Sequence, residues 1–320
     1  MSHTKTRPDL QAIREAAQRI EPYAHRTPVA TCETIDHLAG RKLFLKCENL
    51  QKVGAFKFRG ACNAVMGLED AEAARGVVTH SSGNHAQALA LAARTRGIPA
   101  TIVMPSDAPE VKRRAVEGYG ATIIECDPTQ EARERNAEEI VQRDGAEFIA
   151  PYDDARIIAG QGTTFLELFE DQPNLDAIVV PLGGGGLLSG MALAAKALAP
   201  NLKVIGVEPA LADDAVESLR VGHIVPQRPP TTIADGLRTS LGELTFPIIQ
   251  DCVDDVVTVS DEAIIAAMHL VWERAKLVVE PSGVVGIAAV LDETFKAQSG
   301  LERVGIVLTG GNIDLSRLPW

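Results

Sequence analysis

Aromatic side chains are scarce, at 4% of the 320 residues. A core of this size must then be built from Ala, Val, Leu and Ile, which suits an α/β protein whose strands are covered on both faces. Positive charge is also short. Lys and Arg number 31 against 43 Asp and Glu, a net charge of −12, which argues against binding a nucleic-acid polymer or an anionic membrane. Apolar runs long enough to span a bilayer are missing. The opening MSHTKTRPDLQAIREAAQ carries no signal-peptide core and reads as an amphipathic helix. The five cysteines (Cys32, Cys47, Cys62, Cys126, Cys252) include no CxxC pair. They read as small hydrophobes in a reducing compartment rather than a metal or disulfide framework, so a cytoplasmic protein is expected. There is no low-complexity segment and no short-period repeat.

What is present is alternation. Apolar runs at 42–47, 76–81, 100–105, 121–126, 147–152, 177–182, 203–208, 256–260 and 304–309 are separated mostly by helical stretches such as 84–97, 187–199 and 261–276. Short apolar runs bounded by Gly and Pro, alternating with helices, imply parallel strands with helical crossovers and ligand sites at the strands' carboxyl ends. That many strands suggest two sheets. Hinges are expected near 68–76 and 150–155, giving a large domain (1–67 and 153–320), a hinge at 68–75 and a small domain (76–152).

In AIVVPLGGGGLLSGMALAA a strand ends, Gly183, Gly184, Gly185 and Gly186 follow, and a helix begins. Inward-facing N–H groups and a helix N-terminus make a seat for a phosphate, although a flexible turn would also use glycine. The dinucleotide pattern GxGxxG fails at Leu188 or Ser189, and the triphosphate loop GxxxxGK[ST] fails at Met191. A third phosphate-bearing cofactor is pyridoxal phosphate, which needs a reactive lysine. Lys57, in GAFKFRG beside Phe56, is the candidate. A third motif, THSSGNHAQALALAA, places Ser81, Ser82, Gly83, Asn84 and His85 between a strand and a helix, where hydroxyls and N–H groups can hold a carboxylate. In VGIVLTGGNIDL, Thr309 closes the last strand.

The chain closely resembles the fold-type II pyridoxal-phosphate enzymes, within them the serine/threonine dehydratase and serine racemase group. The resemblance runs over nearly the whole chain, through KCENLQKVGAFKFRGACNA, SSGNHAQA, AGQGT, GGGGLLSG, GVEP, TIADG, VVEPSG and TGGN. It implies two open, twisted, mainly parallel sheets flanked by helices, the tryptophan synthase beta-like architecture. It also implies that Lys57 condenses with the cofactor aldehyde, that Phe56 and Gly236 flank the ring, and that Asn84 bonds its hydroxyl. Gly183 to Gly186 and Leu187 would hold the phosphate, and Thr309 would meet the pyridine nitrogen. Ser81 to His85 would surround the substrate carboxylate, with Thr239 beside them. A hydroxyl at the ring nitrogen makes a weaker electron sink than a carboxylate partner would, which favours prompt loss of a β-leaving group.

The same resemblance implies a metal site for Mg²⁺, Mn²⁺ or Ca²⁺ at Glu208, Asp214 and the Ala212 carbonyl. It implies a homodimer, and a nucleotide effector near Gln87, Tyr119, Lys276 and Asn312, with Cys32 where a serine is usual. Ser82 marks racemases and 3-hydroxyaspartate dehydratases, where many threonine dehydratases carry alanine. Arg133 and Arg238 are candidates for a second substrate carboxylate. The expected activity is that of an ammonia-lyase acting on a β-hydroxy amino acid, 3-hydroxyaspartate ahead of serine or threonine. Serine racemase is the alternative, followed by a non-catalytic amino-acid sensor. A nicotinamide oxidoreductase lacks its fingerprint, and sulfur-transferring relatives usually lack the histidine found at His85.

Overall fold

A computed structural model describes residues 6–108, 110–226 and 229–320. Among the described residues ten strands form two sheets. They are β1 (Val29–Ala30), β2 (Lys42–Lys46), β3 (Val77–His80), β4 (Ala100–Pro105), β5 (Thr122–Cys126), β6 (Glu147–Phe148), β7 (Ala177–Pro181), β8 (Lys203–Pro209), β9 (Asp255–Val259) and β10 (Arg303–Val307). The larger sheet has the order β1-β2-β10-β7-β8-β9 and is parallel except for β1, which runs antiparallel to β2. The smaller sheet, β5-β4-β3-β6, is wholly parallel. Every expected strand is present, and β1 is the addition. The amphipathic helix begins only at Leu10 and runs to Ile20; residues 1–5 of the expected stretch lie outside the described residues. No helix among the described residues is long and apolar enough to cross a membrane.

Burial follows the two-residue period of a strand. Ala177, Val179, Ile205, Val207, Val304 and Ile306 enter the core on one face of the large sheet. Ile178, Val180, Val204 and Val307 enter the core on the other. The small sheet repeats the arrangement, with Val77, Ile102 and Met104 on one face and Val78 and Val103 on the other. The expected hinge contains a short helix, Asp70–Ala73, closed by a reciprocal Glu69/Glu72 capping box.

Three helices support the elements around the site. Helix Lys57–Met66 packs Phe58, Ala61, Cys62 and Val65 into the core of the small sheet, together with Ala86 and Leu89 of helix Asn84–Arg96. The long helix Ala155–Asp171 sends Ile157 to that core, while Ile158, Ala159 and Phe165 serve the large sheet. The carboxyl ends of β3, β7 and β10 lead into the Ser81–His85 turn, the four-glycine loop and Thr309 respectively.

Candidate active site

Lys57 opens its helix and is half-buried. Its Nζ donates to the Pro151 carbonyl at 2.8 Å and lies 5.2 Å from the Phe56 ring centroid. Lost hydration lowers its pKa from an ordinary 10.5 to about 8, because burial disfavours the charged form. Phe56 N donates to the Thr309 carbonyl at 3.0 Å, which fixes the lysine's approach to the end of β10. Thr309 is 3% exposed, and its hydroxyl lies 3.4 Å from the Ser282 carbonyl. Ser282 Oγ accepts from Gly236 N at 2.9 Å. Phe56, Thr309 and Gly236 are thus linked through one backbone bond and the hydroxyls of Thr309 and Ser282.

The glycine loop follows β7. Gly185 has φ +90°, and the helix Gly186–Leu198 starts without a side-chain cap, so its first N–H groups are left for an anion. A Cβ on Gly184 would fall 2.4 Å from the Tyr152 ring, a separation no side chain accepts. Thr245 Oγ1 donates to the Gly184 carbonyl at 2.8 Å, and Asp153 Oδ1 accepts from Leu244 N and Thr245 N at 2.9 and 3.1 Å. A Cβ on Gly183 would meet Thr239 Oγ1 at 3.1 Å and Leu237 Cα at 3.0 Å, so Thr239 borders the loop. Leu187 lies in the first helical turn, 4% exposed. A cradle of bare backbone at an uncapped helix start fits a phosphate.

After β3, Ser81 Oγ accepts from Gly83 N at 3.3 Å. Gly83, not Ser82, is the cap of helix Asn84–Arg96, and no side chain caps it. The serine therefore does not serve as a helix cap. His85 is 2% exposed; its Nε2 faces the Ile149 carbonyl at 3.2 Å and so carries the proton. Burial, then the charge of Lys57, drive its pKa down to about 3. The ring is neutral, and Nδ1 is a buried acceptor with no protein partner. Asn84 Nδ2 donates to Glu280 Oε1 and its Oδ1 accepts from Asn312 Nδ2, both at 2.8 Å. Asn312 N also donates to Glu280 Oε2 at 3.1 Å.

The two arginines separate. Arg238 aims Nε (2.8 Å) and Nη2 at the Thr232 carbonyl, so its fork is occupied by its own loop. Arg133 lies in the first turn of helix Gln130–Asp144, with a buried Nε that has no protein partner. Burial lowers the pKa of His80, at the end of β3; Glu134 opposes that shift and Arg133 adds to it. Glu208 is 1% exposed and accepts from Ala215 N and Val216 N at 3.2 and 2.9 Å. Burial, with Asp214 and Asp213 adding repulsion, pushes its pKa up to about 8. Asp214 and Ala212 are also buried. The described residues contain no group of three or more His, Cys, Asp or Glu placed to hold a metal.

Sequence reasoning had not singled out Glu280, Ser282, Tyr152 or the Pro151 carbonyl. Glu280 and Ser282 sit in VVEPSG, and Pro151 and Tyr152 end an apolar run. Each acts through a partner distant in sequence, which spacing alone does not reveal.

A family model for pyridoxal-phosphate dependent enzymes matches residues 20–310. Serine racemase of Dictyostelium discoideum is 51% identical over 97% of this chain and 96% of its own length. The beta-hydroxyaspartate dehydratase of Paracoccus denitrificans is 47% identical over 98% of this chain and 99% of its own. The structure of maize serine racemase superposes with a TM-score of 0.96 at 49% identity, covering 97% of this chain and 95% of that one. The match of a family model and of relatives about half identical along nearly the whole chain, with Lys57 held at the Pro151 carbonyl and a bare glycine cradle after β7, places this protein in the family of pyridoxal-phosphate dependent enzymes.

Proposed function

We propose that the protein is an ammonia-lyase acting on a β-hydroxy amino acid, 3-hydroxyaspartate ahead of serine and threonine, releasing an oxo acid and ammonia. The observation that carries the reading is the place of the Lys57 amine at the Pro151 carbonyl, between Ile149, whose carbonyl faces His85 at one uncapped helix start, and Tyr152, which packs on Gly184 and Gly186 at the other. When bound, pyridoxal phosphate supplies the electron sink for the charge left at the substrate Cα. The glycine loop would hold its phosphate, Asn84 its ring hydroxyl and Thr309 its ring nitrogen.

The substrate carboxylate sits at the start of helix Asn84–Arg96, against the Ser81–His85 turn. Lys57, once free, takes the Cα proton. Its pKa of about 8 leaves a useful fraction neutral near pH 7. His85 stays neutral and adds no competing positive charge. Arg133, with its unpartnered Nε, receives a second carboxylate; this is what favours a dicarboxylic substrate. Ser82, not used as a cap, would serve as proton donor and acceptor on the face opposite Lys57, so racemisation is the second reading. The small domain closes over the substrate through the 68–75 segment.

Glu208, Asp214 and the Ala212 carbonyl are oxygen donors that fit Mg²⁺, Mn²⁺ or Ca²⁺. A cation there would offset the burial that, with added repulsion from Asp214 and Asp213, raises the Glu208 pKa to about 8. A nucleotide effector at Gln87, Tyr119, Lys276 and Asn312 in a homodimer completes the reading; Asn312 reaches the site through Asn84.

The test is a screen of purified, cofactor-loaded protein against the stereoisomers of serine, threonine and 3-hydroxyaspartate, scoring ammonia and inversion separately. Fastest ammonia release from a 3-hydroxyaspartate isomer is expected. Serine inversion outpacing ammonia release selects the racemase, and ligand binding without turnover selects a sensor. Failure to develop the yellow chromophore with pyridoxal phosphate overturns the reading.

A further inference from the structure

The chain that delivers Lys57 to the site is a closed loop under strain. It leaves β2 at Lys46, and its two ends rest on consecutive residues after β10. Asn49 N donates to the Leu308 carbonyl at 2.9 Å and Phe56 N to the Thr309 carbonyl at 3.0 Å. Between them Val53 adopts φ +57°, ψ 12°, a left-handed conformation that a β-branched residue avoids. Such a conformation persists only where its surroundings over-determine it.

The entrance and exit of this loop carry a buried charge cluster. Glu48 at the entrance is 0% exposed, as is Arg59, two residues past Lys57. Arg59 grips Glu48 with a planar fork, Nε to Oε2 and Nη2 to Oε1, both at 2.8 Å. It also donates to both oxygens of Glu167 at 2.7 Å. Glu167 accepts from Lys46 Nζ at 2.6 Å. Two cations and two carboxylates balance, which lets four charges stay out of water. Apolar packing of equal volume would serve stability as well, but it would not fix rotation as a bidentate pair does. Residues two apart on a helix point to nearly opposite faces, so Arg59 holds the helix from behind while Lys57 faces the site.

We propose that Glu48 and Arg59, backed by Glu167, are positioning residues for Lys57: their fork closes the strained loop and sets where the amine stands relative to Thr309. The proposal rests on Lys57 being the cofactor-bearing amine. It is tested with full-length Glu48→Gln, Arg59→Lys and Glu167→Gln proteins loaded with pyridoxal phosphate. The readouts are cofactor dissociation constant, the pH at which the visible absorbance titrates, kcat, KM and melting temperature. Expected are roughly tenfold weaker cofactor retention, a titration moved by about half a pH unit, and kcat down about 10- to 100-fold with KM nearly unchanged, as for a displaced reacting group. Glu167→Gln, which leaves the Glu48 fork intact, shifts the same quantities less and keeps the test readable if the other variants do not fold. Folded variants that lose only melting temperature, with wild-type cofactor affinity, titration and kcat, overturn the proposal. A wild-type protein that takes up no cofactor overturns the reading of Lys57 instead.

Discussion

Asn84 Nδ2 donates to Glu280 Oε1 at 2.8 Å, so the asparagine that opens the helix after β3 is oriented by a carboxyl that is 6% exposed. Burial first, then the nearby charge of Asp235, raises the Glu280 pKa from 4.5 to about 8. In the folded chain Glu280 keeps its proton across a window in which the unfolded chain has lost it. Its contribution to stability is therefore fully present below pH 4.5 and is lost as pH rises through about 8. We predict that Glu280→Gln flattens the decline of melting temperature between about pH 5 and 8, a difference on the order of 4 kcal/mol at most. Parallel profiles for the two proteins would contradict this.

Lys57 makes a kinetic prediction. Only the neutral amine condenses with an aldehyde, and its pKa is lowered to about 8. The rate at which apo-protein takes up pyridoxal phosphate should rise to about pH 8 and then level, rather than climb toward 10.5. Lys57→Ala should show no visible absorbance and at least about a thousandfold less turnover.

The Tyr152 ring occupies the space a Cβ on Gly184 would need, 2.4 Å away. Gly184→Ala should weaken cofactor binding by about 5- to 150-fold, the usual range for overpacking of about 1–3 kcal/mol. Adding Tyr152→Ala should recover part of that loss, because the clash partner is gone. Equilibrium dialysis of the single and double variants measures both steps.

Ser82 leaves helix Asn84–Arg96 capped by Gly83 backbone alone. Ser82→Ala should therefore cost little stability, within about 0.5 kcal/mol. It should abolish enantiomer inversion while ammonia release from an L-substrate continues. Equal loss of both activities would assign the two-face chemistry elsewhere.

Strands in this chain were legible because buried parallel strands read as unbroken apolar runs between Gly and Pro. β1, Val29–Ala30, is two residues long and follows Pro28, too short to carry a period. The glycine loop and Lys57 were legible as local motifs. What holds them was not: Pro151, which receives the amine, is 94 residues away, and Glu280 is 196 residues from Asn84. Arg238 shows the opposite limit. Its position beside TIADG suggested a substrate contact, yet its fork closes on Thr232 six residues back, a local backbone bond that residue type does not reveal.

Helix Lys57–Met66 buries Phe58, Ala61 and Cys62 with the small sheet, while Arg59 is bonded into Glu48 and Glu167 beside the large one. The amine-bearing segment is therefore common property of both halves of the molecule. A swing of the small sheet against the large one would therefore carry this helix with it, and helix Ala155–Asp171, which also feeds both cores, so that opening the mouth and tilting the nucleophile would be a single mechanical event.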